Sequence, residues 1–175
     1  LKQVDNSVLI VYANNDLSKT NLSKEIELRG VDPIRLIFGN SLPKPEYLAR
    51  YRTADLFLDT HPYNAGTTAS DALKMGLPML TMIGQSYQAR MGASILTSIN
   101  LPELITNSPE EYEALAIELA TNPEKLKAIK EKLASNLTSA PLYNTKLFTK
   151  NLESAYTTMY QRHQKGLEPD HIYVD

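Results

Sequence analysis

The feature that most constrains the fold is an alternation between short apolar runs and helical segments. The first run, Ser7–Ala13, is continuous and rich in β-branched residues, which is typical of a strand buried on both faces of a parallel sheet. Further strands are predicted at residues 35–38, 55–59, 78–82 and 103–105, with helices at residues 18–30, 43–53, 67–74 and 87–98. Gly76 is predicted to form the C-terminal cap of the helix at residues 67–74. This order predicts an α/β fold: a parallel sheet with right-handed crossovers and helices on both faces.

The pattern becomes entirely helical after residue 106. Ser108–Glu111 has the sequence of a capping box, with Pro109 at the first helical position. The last helix carries an apolar stripe at Phe148, Leu152, Ala155, Tyr156 and Met159. We therefore predict a single domain over residues 1–175, with an α/β core (1–106), a helical section (107–166) and a polar tail (167–175).

Composition excludes several classes of function. The 175 residues have room for one domain, and the net charge of −2 disfavours DNA or RNA as a partner. The absence of cysteine excludes disulfides, thiolate metal sites and a cysteine nucleophile, and agrees with a cytoplasmic location. No apolar run approaches the roughly 20 residues that a membrane helix needs, so no membrane partner is expected. The abrupt start at Leu1 predicts a fragment of a longer protein.

The segment Asn64–Asp71 carries the residues best suited to bind a phosphate group. It connects a predicted strand to a predicted helix, at the carboxyl end of the strand, where ligands of open parallel sheets bind. Free N–H groups and the positive dipole end of a helix N-terminus attract anions. Ala65 and Gly66 are small enough for the backbone to approach an anion, and the hydroxyls of Thr67 and Thr68 add donors.

Asp71 lies one turn into this predicted helix, on the same face as Thr67 and Thr68. A carboxylate would repel a diphosphate, so its placement favours a different task, accepting hydrogen bonds from a ribose diol. The segment Thr68–Asp71 also fits a plain capping box, and no G-x-G-x-x-G fingerprint supports phosphate binding. From the residues alone, both interpretations stay open.

The stretch Leu58–Gly76 resembles the donor-site segment of the O-linked N-acetylglucosamine transferase family, which includes bacterial and plant (SPINDLY-like) relatives. Pro43–Tyr47 is similar to the Pro-Lys-Glu-Glu-His segment of that family. Further similar blocks follow in order at Pro78–Gly84, Arg90–Ser94, Leu101–Ile105, Pro141–Thr145 and Pro169–His171. The resemblance runs from about residue 35 to 171, and several spaced blocks in order are far more specific than any single one.

The resemblance implies a GT-B glycosyltransferase, of which this chain would be most of the C-terminal, Rossmann-like, nucleotide-sugar-binding lobe. By position, Lys44 would contact the base or ribose, Thr67 and Thr68 the pyrophosphate, and Asp71 the ribose hydroxyls. A solvated surface lysine is the alternative for Lys44. Tyr47 stands where the animal enzymes have a histidine that stacks on uracil, and its aromatic ring can still stack.

A second departure from the family concerns Gly66, which replaces a histidine beside the phosphates. The change removes a donor side chain but leaves the backbone N–H groups available. His61 either compensates in part or is an ordinary loop residue. With Asn64, the expected donor-binding set is Lys44, Tyr47, Asn64, Gly66, Thr67, Thr68 and Asp71, with no catalytic residue and no metal ligand within the chain.

The implied reaction is metal-independent transfer of N-acetylglucosamine from UDP-GlcNAc to protein Ser or Thr hydroxyls. Two alternatives stay open: another donor such as GDP-fucose, as in the plant branch, and a degenerate binding or scaffold module. The family's phosphate-contacting lysine segment, its N-terminal lobe and its acceptor-binding repeats would lie outside these residues. We therefore expect the chain alone to be inactive and its last helix to expose an apolar patch that favours self-association.

Overall fold

The computed structural model describes residues 1–174, which form five strands and seven α-helices joined by short 3₁₀ turns. The strands are β1 (Leu9–Tyr12), β2 (Leu36–Gly39), β3 (Phe57–Leu58), β4 (Met79–Met82) and β5 (Ile105–Thr106). The helices are α1 (Asp16–Leu28), α2 (Lys44–Arg50), α3 (Thr67–Lys74), α4 (Met91–Ser98), α5 (Pro109–Thr121), α6 (Pro123–Ser139) and α7 (Thr145–Gln164). The predicted α/β alternation, followed by an all-helical section, is confirmed.

All strand pairing is parallel, as predicted, but the strands form two sheets rather than one. β1 pairs with β2, and β3, β4 and β5 pair in that order. Within residues 1–174, β1 and β3 each pair along one edge only. Two sequence boundaries also move: residues 88–90 form a 3₁₀ turn before α4, and Pro102–Leu104 forms another before β5.

The hydrophobic core lies around β4, the central strand of the three-stranded sheet. Met79, Leu80 and Thr81 are completely buried, and helices α3, α4 and α5 contact this strand. The core cluster draws on α3 to α6, through Ala69, Leu73, Leu96, Leu119, Ile129 and Leu133. The two helices after residue 106 therefore pack on this core through Leu119, Ile129 and Leu133.

Strand β1 does not have the environment predicted for it. Its even-numbered side chains are exposed, at 41% for Ile10 and 59% for Tyr12, and Val8 just before the strand is 55% exposed. Ile37 on β2, which pairs in register with Ile10, is 45% exposed as well. The expectation that this strand is buried on both faces is wrong, because the described residues cover only the other face of the β1–β2 sheet.

Helix α3 ends as the sequence predicts, at a glycine. Gly76 has a φ of +84°, a conformation that L side chains rarely adopt. The Gly76 and Leu77 N–H groups donate to the carbonyls of Leu73 and Ala72, each at 3.0 Å. This turn closes α3 and returns the chain directly into buried strand β4, which fixes the position of the helix relative to the sheet.

The last helix, α7, has no fully buried side chain within the described chain, although it carries the predicted apolar stripe. Phe148, Leu152, Tyr156 and Met159 are exposed at 67%, 38%, 58% and 54%. The apolar surface expected on this helix is therefore present. No helix among residues 1–174 is long and apolar enough to cross a membrane.

Candidate functional site

Helix α3 begins at Thr67, directly beyond the carboxyl end of β3 and the loop that follows it. Gly66 is the N-cap residue, and no side chain among the described residues caps this helix. The side chains of Thr67 and Thr68 are exposed. The first N–H groups of α3 thus have no side-chain cap, as an anion-binding helix N-terminus requires.

Four other helices of the same chain show the usual way of closing an N-terminus. Asn15, Ser108, Asn122 and Asn144 each accept a hydrogen bond from a backbone N–H one turn on, at 2.7–3.2 Å. The interpretation of Thr68–Asp71 as a capping box is wrong, because Gly66 and not Thr68 is the N-cap residue, so the helix starts two residues earlier than that box requires. Asp71 lies in the second turn and bonds elsewhere.

The loop before α3 is held by the buried carboxylate of Asp59. Its Oδ1 accepts from the N–H groups of Thr60 and Ala65, at 2.9 and 2.7 Å, and its Oδ2 accepts from the Thr81 hydroxyl at 2.6 Å. Burial raises the pKa of Asp59, while these three hydrogen bonds oppose the shift. The carboxylate thereby fixes the strand-to-helix connection to the core strand β4.

Asn64 and Gly66, both in the predicted donor-binding set, have different surroundings. Asn64 is 3% exposed, donates to the Thr60 carbonyl at 2.8 Å and accepts from the Gly92 N–H at 3.4 Å, so its amide already supports the loop. At Gly66, an added Cβ would meet only Met91 Cγ, at 3.7 Å. A side chain would therefore fit at position 66.

Lys44, Tyr47 and Asp71 lie together, although α2 and α3 are separate elements. Lys44 Nζ is 2.6 Å from Asp71 Oδ2 and 4.8 Å from the centroid of the Tyr47 ring. The Asp71 side chain is 18% exposed and that of Lys44 59%. Lys44 is therefore an exposed lysine that forms an ion pair with a mostly buried carboxylate. Its contact with a ligand stays a prediction.

Two clefts flank the loop between β3 and α3. One, of about 320 Å³, is lined by residues of β3 and the α3 N-terminus, including Asn64, Gly66 and Thr68. The other, of about 480 Å³, is lined by His61 together with Gly84 and Asn107. His61 therefore lines a different cleft from Thr68. Its part in ligand binding stays a prediction.

Sequence reasoning missed three residues that build this site. For Asp59 a usable signal exists, because an acid directly follows the apolar run of β3. Gly92 approaches it so closely that an added Cβ would lie 2.6 Å from Asp59 Oδ2. Tyr51 bonds to Tyr47. The last two carried no signal, because each depends on a contact distant in sequence or on helix phase.

Metal binding can be judged from the side chains that lie together. No group of three or more His, Cys, Asp or Glu side chains within residues 1–174 is placed to hold a metal ion. Independence from metals stays a prediction.

Comparison with known proteins decides the family. Residues 1–152 match the family model described as Glycosyl transferase family 41. The chain belongs to glycosyl transferase family 41. It is 34% identical over 175 residues to the probable UDP-N-acetylglucosamine--peptide N-acetylglucosaminyltransferase SEC of Arabidopsis thaliana, covering 99% of this chain and 18% of that protein.

Other family 41 members show similar relationships. Identity is 33% over 174 residues to the probable UDP-N-acetylglucosamine--peptide N-acetylglucosaminyltransferase SPINDLY of Oryza sativa, covering 95% of this chain and 18% of that protein. A solved structure of a mutant Thermobaculum terrenum O-GlcNAc transferase superposes with a TM-score of 0.82 at 33% identity, covering 87% of this chain and 30% of that one. The α/β fold of a GT-B glycosyltransferase is confirmed, and the chain spans about a fifth of the length of these curated relatives.

Proposed function

We propose that this chain is the donor-binding lobe of a family 41 glycosyltransferase that transfers N-acetylglucosamine from UDP-GlcNAc to Ser or Thr hydroxyls of proteins. The names of its relatives include that donor and a peptide acceptor. Support from this chain comes from one observation above all. The N-terminus of α3 is open, flanked by two exposed threonines, and lies beyond the carboxyl end of a parallel strand.

This helix terminus is suited to the diphosphate of the donor. In the transfer step the acceptor hydroxyl oxygen forms a bond to the anomeric carbon and gives up its proton to solvent. The bond from that carbon to the diphosphate oxygen breaks, and UDP leaves with the electron pair. Negative charge grows on the diphosphate. Backbone N–H groups, the helix dipole and the hydroxyls of Thr67 and Thr68 stabilise this charge without a metal ion.

The pair formed by Lys44 and Asp71 is suited to the nucleoside. A lone Asp71 carboxylate one turn from a diphosphate would repel it, and the Lys44 ammonium at 2.6 Å offsets that charge. The carboxylate oxygens can accept hydrogen bonds from a ribose diol. Tyr47, next to Lys44, offers a ring for the base. Lys44, Tyr47 and Asp71 then bind the nucleoside end, and the start of α3 binds the phosphates.

Calorimetric titration of the 175-residue chain with UDP and with GDP tests this assignment. We expect tighter binding of UDP, and a loss of about tenfold or more when Asp71→Ala or Thr67→Ala removes a hydrogen-bonding group. Thr145→Ala is a matched control, because Thr145 is the first residue of α7, whose N-terminus is capped by Asn144. That variant should bind as the wild type does.

Each outcome of the titration has a consequence. Tighter binding of GDP would replace UDP by a guanosine nucleotide sugar such as GDP-fucose. Unchanged UDP affinity in both site variants would remove the site from α3. Absence of binding to either nucleotide would favour the scaffold module. We further propose that residues 1–175 alone transfer no sugar, and radiolabel transfer from UDP-GlcNAc to protein by this chain would contradict that.

A further inference from the structure

Tyr51 lies in the 3₁₀ turn that follows α2, one helical turn beyond Tyr47. The two hydroxyl oxygens are 2.6 Å apart, and the rings meet edge to face with centroids at 5.2 Å. Both side chains are half-buried. Tyr51 therefore restrains Tyr47 twice, by a hydrogen bond at the end of the ring and by an aromatic contact along it.

The opposite side of Tyr51 is attached to the core. Its ring centroid is 6.3 Å from that of Phe57 on β3, and Phe57 packs against the buried hydrophobic cluster. Tyr47 in turn has Lys44 Nζ at 4.8 Å and the Arg50 guanidinium at 5.9 Å from its ring centroid. Tyr51 thus connects the nucleoside-binding face of α2 to the sheet.

The Tyr51 hydroxyl keeps its proton at physiological pH. Burial raises the pKa of Tyr51, and the hydrogen bond to Tyr47 and the nearby Asp71 charge raise it further. A protonated phenol can both donate and accept, so the bond between the two hydroxyls persists over the whole pH range in which a nucleotide sugar would bind.

We propose that Tyr51 is a positioning residue for nucleoside recognition: its hydroxyl fixes the ring of Tyr47, so that Tyr47 and Lys44 meet the base and ribose in a preset orientation. The inference rests on the proposed function of the same site. It predicts an effect limited to the nucleoside end, because the diphosphate contacts at the start of α3 do not involve Tyr51. Preorganisation of this kind strengthens binding by reducing what must be ordered when the ligand arrives.

The test compares two ligands on the 175-residue chain by calorimetry. These are inorganic pyrophosphate and whichever of UDP and GDP the wild type binds more tightly. Tyr51→Phe removes one hydroxyl and keeps the ring. We expect the nucleotide affinity to fall about 3- to 10-fold, the range of a single neutral hydrogen bond, and the pyrophosphate affinity to stay unchanged. Tyr47→Phe breaks the same bond and should give the same loss, with no further loss in the double variant.

Tyr143→Phe is the matched control, because Tyr143 is also half-buried and its hydroxyl donates to the Ser70 carbonyl at 2.6 Å without touching Tyr47. The ratio of nucleotide to pyrophosphate affinity should not change in that variant. Should Tyr51→Phe unfold, Tyr47→Phe tests the same bond from the other side.

The remaining outcomes separate this inference from the function on which it rests. Unchanged nucleotide affinity in Tyr51→Phe, or an equal fall for both ligands, would overturn the positioning role and leave the proposed function intact. A wild-type chain that binds pyrophosphate but neither nucleotide would overturn both.

Discussion

The two sheets, each taken with the helices around it, differ in how deeply they are buried. In the β1–β2 half (residues 1–53, all of them described by the structure), only Ala13 and Leu36 are buried. In the β3–β5 half (residues 57–143), β4 is buried throughout most of its length, and four helices contribute to the hydrophobic cluster. Similar apolar strand sequences therefore have different environments. Most of the buried apolar surface, and with it most of the free energy of unfolding, is therefore expected in the β3–β5 half.

The candidate site lies where these two halves meet. Thr67, Thr68 and Asp71 belong to the densely packed β3–β5 half, whereas Lys44 and Tyr47 belong to the β1–β2 half. The Lys44–Asp71 ion pair is a direct contact between them. The proposed phosphate-binding end of the site is thus built on the densely packed part of the molecule, while the proposed nucleoside-binding end depends on a helix with no fully buried side chain.

The largest effect should come from the core cluster. Leu73→Ala on α3 removes a completely buried side chain, and we expect the free energy of unfolding to fall by about 2–5 kcal/mol, because a cavity forms and apolar burial is lost. Leu28→Ala on α1 is the matched variant in the β1–β2 half, where the leucine is 80% exposed. Urea denaturation measures both. Equal losses would remove the difference between the halves.

Glycine substitutions sharpen the comparison at a smaller scale. Gly92→Ala places a methyl group against Asp59 Oδ2, at 2.6 Å, and against Thr81, both buried and bonded to each other. We expect a loss of about 1–3 kcal/mol in thermal or urea unfolding, as for other overpacked sites.

Gly39→Ala is the counterpart of that variant in the β1–β2 half. There the nearest atom to an added Cβ is Arg50 Nη1, at 2.9 Å, the end of a flexible side chain that can move away. We expect a change within about 0.5 kcal/mol. A larger loss at Gly39 than at Gly92 would show that the β1–β2 half is packed as tightly as the β3–β5 half.

A gain of function is expected at the border between the halves. Gly66→His introduces a donor where only Met91 is near, and one new hydrogen bond to a phosphate should raise UDP affinity about 3- to 10-fold. Thr145→His is a suitable control, since the exposed Thr145 begins α7, whose N-terminus is capped by Asn144. Weaker UDP binding by Gly66→His would place the diphosphate elsewhere.

Sequence predicted the elements of this fold better than their surroundings. The α/β order, the parallel pairing and the Gly76 terminus follow from local signals: apolar runs, helical periodicity and a glycine at a helix end. The exposure of β1 does not follow, because its apolar sequence is the same whether or not another layer covers it. Burial depends on what packs against a strand, and that information lies outside the strand.

The site was predictable in part for the same reason. Thr67, Thr68 and Asp71 are neighbours on one helix, so their shared face follows from spacing alone. The ion pair of Asp71 with Lys44 joins residues 27 positions apart. Only the family resemblance placed Lys44 near the nucleotide, and the structure adds its partner. The link that Asp59 makes between this loop and β4 was not predictable in the same way, because its partner Thr81 is 22 positions away.

The smallest effect is expected on the exposed face of β1. Ile10→Thr keeps a β-branched side chain at a position that is 41% exposed, so the free energy of unfolding should change by about 0.5 kcal/mol or less. Met79→Thr on β4 is the matched variant, and it places a hydroxyl in a completely buried position, where a loss of about 2 kcal/mol or more is expected. Urea denaturation of both variants at one protein concentration gives the comparison.

Sedimentation velocity on Ile10→Thr adds a second readout, because a fall in self-association would show that this face, together with or instead of α7, holds copies of the chain together. A large loss of stability in Ile10→Thr with no change in sedimentation would mean that the face is covered in solution by the chain itself, and the contrast between the two halves would then be wrong.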